Sequence, residues 1–409
     1  MNSRSAIHAI GIISLLSAST TGRAQEIQLQ TGRALEAEPF SQFIERVRAL
    51  PAASQRVEEL KAFTARAGAL GRAVIDDSTV TFFYMGSAKR VGVPGDLNGW
   101  DPSADSMRRV EGTDFFYLSK TIQAAARFEY KLAIDSTWIL DPYNSQQSMG
   151  GYGPNSEVWM PAYRPPSEIL AREGTPRGAI DTLAFASRIL GRTLPVFVYR
   201  PPGFVKSGKR YPVIFVTDGG EYLSLGLMNT ILDNLIAERA IRPVVGVFID
   251  PRTDPADART SHRMSDYAMN DDFVRAMTEE LRPKLLKRYH LSPDPGQTAI
   301  IGASLGGLIS TYAAFTRPDV FGLCAAQSPA FWLQDSRMIG LITSGPRKPF
   351  RMYISTGTIR DAQKHARLMR DAMLEKGYAM RYEEHPESHN WVNWRARIRS
   401  FLVFFWGTR

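Results

Sequence analysis

The sequence predicts an α/β architecture, a mostly parallel sheet covered by helices on both faces, preceded by a small β-sandwich. Three observations carry that expectation. Beyond residue 164, short β-branched apolar runs alternate with stretches of helical periodicity, the pattern of parallel strands buried on both faces. Over residues 77–163, short strands separated by Gly, Asn, Asp and Pro turns succeed one another without helices, as in a sandwich. Residues 297–307 read Q-T-A-I-I-G-A-S-L-G-G, where a β-branched run feeds a turn of small residues and then a helix-forming segment.

At 409 residues the chain exceeds the size, about 250–300 residues, at which a single core usually stops growing, so two folded units and a leader are expected. Residues 1–24 read as a signal peptide. Arg4 gives a positive start, residues 6–18 form an apolar run too short to span a bilayer, and Gly22 and Ala24 place small residues where a signal peptidase needs them. The expectation is an exported protein, periplasmic or secreted. No later segment is long and apolar enough for a membrane span. Residues 25–76 form a helical lead-in, with Phe40, Phe43, Ile44 and Val47, then Val57, Leu60 and Phe63, at helical spacing.

In the sandwich region, strands are expected over 80–84, 90–93, 114–118 and 128–132. The motif G-D-L-N-G-W-D-P at 95–102, followed by the strand at 128–134 and D-P-Y-N at 141–144, resembles the early-set immunoglobulin-like module. That module occurs in glycogen- and starch-active enzymes and ahead of several esterases. Trp100 and Trp138 read either as a platform for a sugar face or as packing aromatics, the latter favoured in so small a sandwich. Residues 160–166, rich in proline, make a stiff connector, and the α/β unit occupies 164–409. Its strands are expected over 194–199, 211–217, 244–249, 350–355 and 379–384, and its helices over 225–239, 271–289, 360–375 and 391–406.

The net charge is +9, falling to +7 when Arg4 and Arg23 leave with the leader. Spread along the chain without a Lys/Arg block, this excess weakly favours anionic substrates and does not point to nucleic acid. Cys324 is the single cysteine and lies among apolar neighbours, so no internal disulfide is possible and a core position is expected.

The segment around Ser304 is a nucleophile elbow. A serine on a sharp strand-to-helix turn needs small neighbours, here Gly302, Ala303, Gly306 and Gly307, so that the backbone can bend and leave the hydroxyl exposed. With the β/α alternation around it, this indicates the α/β-hydrolase fold, in which acid and histidine follow the serine in the chain. Three histidines lie downstream. His365 sits inside an expected helix and His385 ends a strand, whereas His389 opens a loop from which an imidazole can reach over the sheet, and it is preferred as the base. Asp361, just beyond the strand at 350–355, is the preferred acid, with a helix N-cap as its bland alternative. The oxyanion donors expected are the Leu305 amide and one from the turn carrying Gly219 and Gly220. Phe331, Trp332, Trp391 and Trp394 are candidates for an aromatic acyl pocket, and Arg259 and Arg263 for a substrate carboxylate or catecholate. Each is equally compatible with packing or a solvated face. No metal or other cofactor is required by this chemistry.

Together these residues resemble the enterochelin esterase and feruloyl esterase group of α/β-hydrolases over most of 190–405. Residues 216–222 look like that group's Asp-Gly loop, 326–332 its strand end followed by aromatics, 357–361 its acid turn, and 389–394 its histidine with a Trp-bearing helix. The resemblance implies a serine esterase working through an acyl-enzyme on a siderophore, an aromatic ester or a polysaccharide ester. An acyltransferase on the same scaffold and a non-catalytic carbohydrate-binding protein are the alternatives. Two features depart from the group: Glu387 and Ser388 stand where glycines usually precede the histidine, and the leader predicts export where enterochelin esterases generally act in the cytoplasm. Substrate identity and oligomeric state are not legible.

Overall fold

The structure is a computed structural model that describes residues 38–208 and 210–408. The expected signal peptide falls outside these residues. Glu38–Arg409 form one compact unit.

Among the described residues two helices come first, α1 (Phe40–Ala49) and α2 (Ala53–Leu70), and α2 stops at Gly71, whose φ of 60° is the left-handed conformation that glycine adopts without strain. Ten strands follow: β1 (Val74–Asp76), β2 (Thr79–Met85), β3 (Val91–Gly92), β4 (Arg108–Arg109), β5 (Phe115–Thr121), β6 (Arg127–Tyr130), β7 (Leu132–Ile134), β8 (Thr137–Ile139), β9 (Gln147–Gly150) and β10 (Gly153–Trp159). They make three small sheets, β1-β2-β5-β4, β6-β10-β9 and β3-β7-β8. Phe82 and Phe116 point into a core shared with Phe128, Tyr130, Leu132 and Val158 of the facing sheets. The alternate residues Phe83 and Phe115 point the other way and meet Phe63 of α2, with ring centroids at 5.2 and 6.1 Å. The helical lead-in therefore covers the outer face of β2 and β5. Each buried phenylalanine contributes roughly 1.5–3 kcal/mol there.

The second part is an eight-stranded sheet formed by β11 (Ala179–Ser187), β12 (Arg192–Arg200), β13 (Val213–Val216), β14 (Val245–Ile249), β15 (Thr298–Ala303), β16 (Leu323–Gln327), β17 (Arg351–Gly357) and β18 (Met380–His385). Its order is β11-β12-β14-β13-β15-β16-β17-β18, antiparallel through β11, β12 and β14 and parallel from β14 onward. Helices α3 (Gly219–Ser224), α4 (Met228–Ala237), α11 (Trp391–Ala396) and α12 (Ile398–Trp406) lie with one core. The other core includes residues of α5 (Arg263–Tyr267), α6 (Asp271–Arg275), α7 (Arg282–Arg288), α8 (Leu305–Thr316), α9 (Leu333–Ser344) and α10 (Gln363–Glu375). This is the expected α/β-hydrolase fold. Cys324, the second residue of β16, is fully buried, and burial pushes its thiol up. Among the described residues no helix is long and apolar enough to cross a membrane.

The chain leaves β13 toward β14 on one side and leaves β15 toward β16 on the other. The carboxyl ends of β13 and β15 consequently flank a switch point, the crevice where ligands bind in open α/β sheets.

Candidate active site

Ser304 sits between β15 and α8 with φ 57° and ψ −118°, a strained conformation for a side-chain-bearing residue. Its amide donates to the Gln327 carbonyl (2.8 Å), and its own carbonyl accepts from the amides of Leu308 (3.1 Å) and Ala330 (3.0 Å). The glycines around it are required by close approach. A Cβ on Gly302 would stand 2.1 Å from Thr217 Oγ1 and 2.3 Å from the Gly306 carbonyl carbon, and one on Gly306 would stand 2.5 Å from the same Thr217 oxygen. The end of β13 is thereby pressed directly onto the elbow. Ser304 is partly exposed, and no group among the described residues hydrogen-bonds its hydroxyl.

Strain recurs along this one sheet edge. Asp218 after β13 (φ 53°), Ser328 after β16 (φ 42°) and Arg360 after β17 (φ 48°) also adopt positive φ without being glycine. Each such residue costs about 1–3 kcal/mol and persists where surrounding packing over-determines it.

Asp361 lies in the turn after β17 with no exposed side-chain surface, and its Oδ1 accepts from His389 Nδ1 at 2.7 Å. The same oxygen accepts from the Ala362 amide (2.7 Å), while Oδ2 accepts from the Ser328 hydroxyl (2.6 Å), the Gly357 amide (2.5 Å) and the Thr356 hydroxyl (3.3 Å). Burial alone would raise this carboxyl. The hydrogen bond and charge of His389, with the Ser328 and Gly357 donors, outweigh burial and hold it below its ordinary value. The His389 side chain is 35% exposed and stands edge-on to Trp394, ring centroids 5.1 Å apart. With Nδ1 fixed on Asp361, Nε2 is the nitrogen left for chemistry. The other two histidines lack this setting: His385 reaches only Glu383, at 3.4 Å, and His365 lies against Trp332 with ring centroids at 6.1 Å.

The oxyanion candidates flank the crevice. Leu305 opens α8, and Gly219 and Gly220 open α3, where leading amides lack helical acceptors. Gly219 has no room for a side chain, since a Cβ would lie 2.4 Å from the Ile249 nitrogen, and one on Gly220 would lie 2.3 Å from Asp250 Oδ2.

Several substrate-binding expectations give way. Phe331 has no accessible surface and belongs to the core, and Trp391 is 6% exposed, edge-on to both Tyr222 and Trp394 at 5.0 Å. Neither ring has a face to offer a ligand. Trp332, 43% exposed, does. Arg263 gives both arms of its fork to Asp218 (2.8 and 2.9 Å) and a further bond to the Ala303 carbonyl (3.2 Å), so it ties the loop after β13 to the elbow. Arg259 is clamped on Asp257 at 2.8–2.9 Å in an exposed turn.

Residues to which the sequence assigned no part in holding the acid support the pair. The Trp394 indole N–H donates to Ser328 Oγ (2.9 Å), which in turn donates to Asp361. Gln327 accepts from the Tyr222 hydroxyl (2.7 Å) and donates to the Trp394 carbonyl (2.6 Å), joining α3 to α11. Gln327 and Ser328 lie in the segment 326–332 whose strand end followed by aromatics carries part of the family resemblance, but their bonds to Tyr222, Trp394 and Asp361 left no mark in the linear sequence.

A family model described as "Putative esterase" matches residues 187–405. The iron(III) enterobactin esterase of Escherichia coli O6:H1 is 25% identical over 251 residues, covering 56% of this chain and 61% of that protein. An endo-1,4-beta-xylanase/feruloyl esterase of Xylanibacter ruminicola is 28% identical over 202 residues, 47% of this chain and 27% of that protein. The alignments thus span less than two thirds of either relative. The crystal structure of the enterobactin esterase from Shigella flexneri superposes with a TM-score of 0.68 at 21% identity, covering 80% of this chain and 92% of that one, a likeness of fold.

Proposed function

We propose, from the premise that this chain belongs to the family described as Putative esterase, that it is a serine carboxylic-ester hydrolase with Ser304 as nucleophile, His389 as base and Asp361 as orienting acid. The observation that carries this reading is the 2.7 Å bond from His389 Nδ1 to buried Asp361, made at the sheet edge that bears the elbow.

The chemistry follows from those positions. Attack of Ser304 Oγ on the ester carbonyl transfers its proton to His389 Nε2, and Asp361 stabilises the imidazolium while keeping the ring in the tautomer that presents Nε2. The amides of Leu305 and of Gly219 or Gly220 receive the developing oxyanion; one such donor is typically worth about 10²–10³ in rate. Collapse expels the alcohol with a proton from His389, and water repeats the sequence to release the acid.

The two relatives, an iron(III) enterobactin esterase and a xylanase/feruloyl esterase, support siderophore or aromatic esters as substrates. Trp332 is the exposed aromatic candidate for such an acyl group. Export through a leader at residues 1–24 is part of the same proposal and is tested by N-terminal sequencing of protein recovered outside the cytoplasm. For the activity, hydrolysis of aryl acetates, feruloyl esters and a cyclic catecholate triester is compared in wild type and Ser304→Ala. Cleavage of at least one ester by wild type and none by the variant is expected. Equal cleavage by both would sink the assignment.

A further inference from the structure

His389 stands in a loop between β18 and α11, and a loop base reaches its nucleophile reliably only if something rigid fixes the loop. The restraints on this loop come in good part from the first ten strands, almost three hundred residues away in sequence.

The next residue, Asn390, is the junction. Its Oδ1 caps α11 by accepting from the Asn393 amide (3.2 Å) and also accepts from Arg127 Nη1 (3.3 Å), while its Nδ2 donates to Asp96 Oδ2 (3.1 Å). Both distant partners are buried. Arg127 has no exposed side-chain surface and is held by Glu129 Oε1 (2.7 Å) and by Glu157 Oε2, whose bond to Nε is 2.9 Å. Asp96 Oδ2 also accepts from the Glu129 amide (2.8 Å), and Oδ1 accepts from the Trp100 indole (3.3 Å). The Arg127 amide donates to the Pro386 carbonyl (3.1 Å), so the loop is grasped on both sides of His389.

The acid is approached in the same way. Ile359, two residues before Asp361, packs against the core of the N-terminal sheets, and the Arg360 guanidinium lies over Gly99, where a Cβ would be 3.0 Å from Nε. One loop, residues 95–100, therefore touches the segment carrying the acid and the segment carrying the base.

We infer that Asn390 is a positioning residue for His389, and that Asp96 and Arg127 hold it there, which makes the N-terminal strands a working part of the active site. The inference rests on the assignment of His389 as base. None of the three touches substrate; they act by fixing the loop that carries the His389 ring, and with it the direction in which Nε2 points. Stacking of Trp100 on Trp138, centroids 6.3 Å apart with planes 14° from parallel, stiffens the same loop from outside.

Asn390→Ser separates the two roles of the side chain. Serine retains capping of α11 but cannot span to both Asp96 and Arg127. With the intact protein, the rate of covalent labelling by a fluorophosphonate, kcat and KM on a cleaved ester, and the melting temperature are measured for Asn390→Ser, Asp96→Ala and the double variant. Each single variant should lower the labelling rate and kcat by roughly 10-fold, with KM nearly unchanged. The double variant should fall little further than either single one, because both remove the same restraint. Wild-type labelling and kcat in Asn390→Ser, or a lower melting temperature with unchanged kcat per folded molecule, would overturn the inference. Loss of Ser304 labelling in wild type itself would instead remove the esterase reading, so the two failures are distinguishable.

Discussion

Five donors converge on the Asp361 carboxylate and together outweigh its burial, so at the residue scale the carboxyl is held in its ionised form. Asp361→Asn replaces an acceptor with an amide that favours the wrong imidazole tautomer, and kcat should fall about 10³–10⁴-fold with the fold intact. Ser328→Ala removes one donor and leaves the buried Trp394 N–H without its acceptor, so kcat should fall roughly 5–30-fold and stability by about 1–2 kcal/mol. Steady-state kinetics and urea unfolding of the same samples measure both. Ser304 was legible in the sequence because an elbow is a local motif whose small neighbours are adjacent in the chain. Asp361 and His389 followed from chain order and strand ends. Ser328 was legible only as part of the strand end at 326–332, and its bond to Asp361 was not, since that contact exists only after β16 and β17 pair. Phe331 and Arg263 show the converse: residue type suggests a ligand, but no linear signal tells that a ring is fully buried or that a guanidinium is already bound to Asp218.

At the scale of elements, the parallel strands were readable because burial on both faces leaves unbroken apolar runs such as 213–216 and 245–249. β11 was missed. It is an edge strand, mostly exposed, and its inward face alternates Asp181, Leu183, Phe185 and Ser187, so only two apolar residues mark it. The expected helix over 391–406 is broken at Arg397 into α11 and α12, and the one over 271–289 contains a π-helical segment at Ala276–Leu281. Glycines give a paired prediction. Gly302→Ala places a Cβ 2.1 Å from Thr217 Oγ1 and should cost 3 kcal/mol or more, on the order of severe overpacking, or prevent folding. Gly340→Ala in α9, with nothing within 4 Å, should add about 0.5–1 kcal/mol through helix propensity. Urea midpoints of the two variants check the contrast.

For the molecule as a whole, the buried cluster of Asp96, Arg127, Glu129 and Glu157 joins the N-terminal strands to the catalytic edge, and its charges carry a pH signature. Burial, and then the nearby Glu129 charge, push Asp96 up to about 6 from 3.8. The folded state therefore binds that proton more tightly than the unfolded chain, and this group's contribution to stability falls as pH rises from about 3.8 to about 6. Asp96→Asn should remove up to about 2–3 kcal/mol of the fall in unfolding free energy across that window, measured by urea titration at half-unit intervals. Arg127→Met leaves two carboxylates buried without their cation and should destabilise by about 3–5 kcal/mol. Fluorophosphonate labelling followed by peptide mapping shows whether Ser304 is an activated nucleophile served by His389 and Asp361. One adduct per chain on the peptide bearing Ser304, absent in Ser304→Ala and strongly slowed in His389→Ala, is the result expected. An adduct on another residue, or undiminished labelling in either variant, would contradict it.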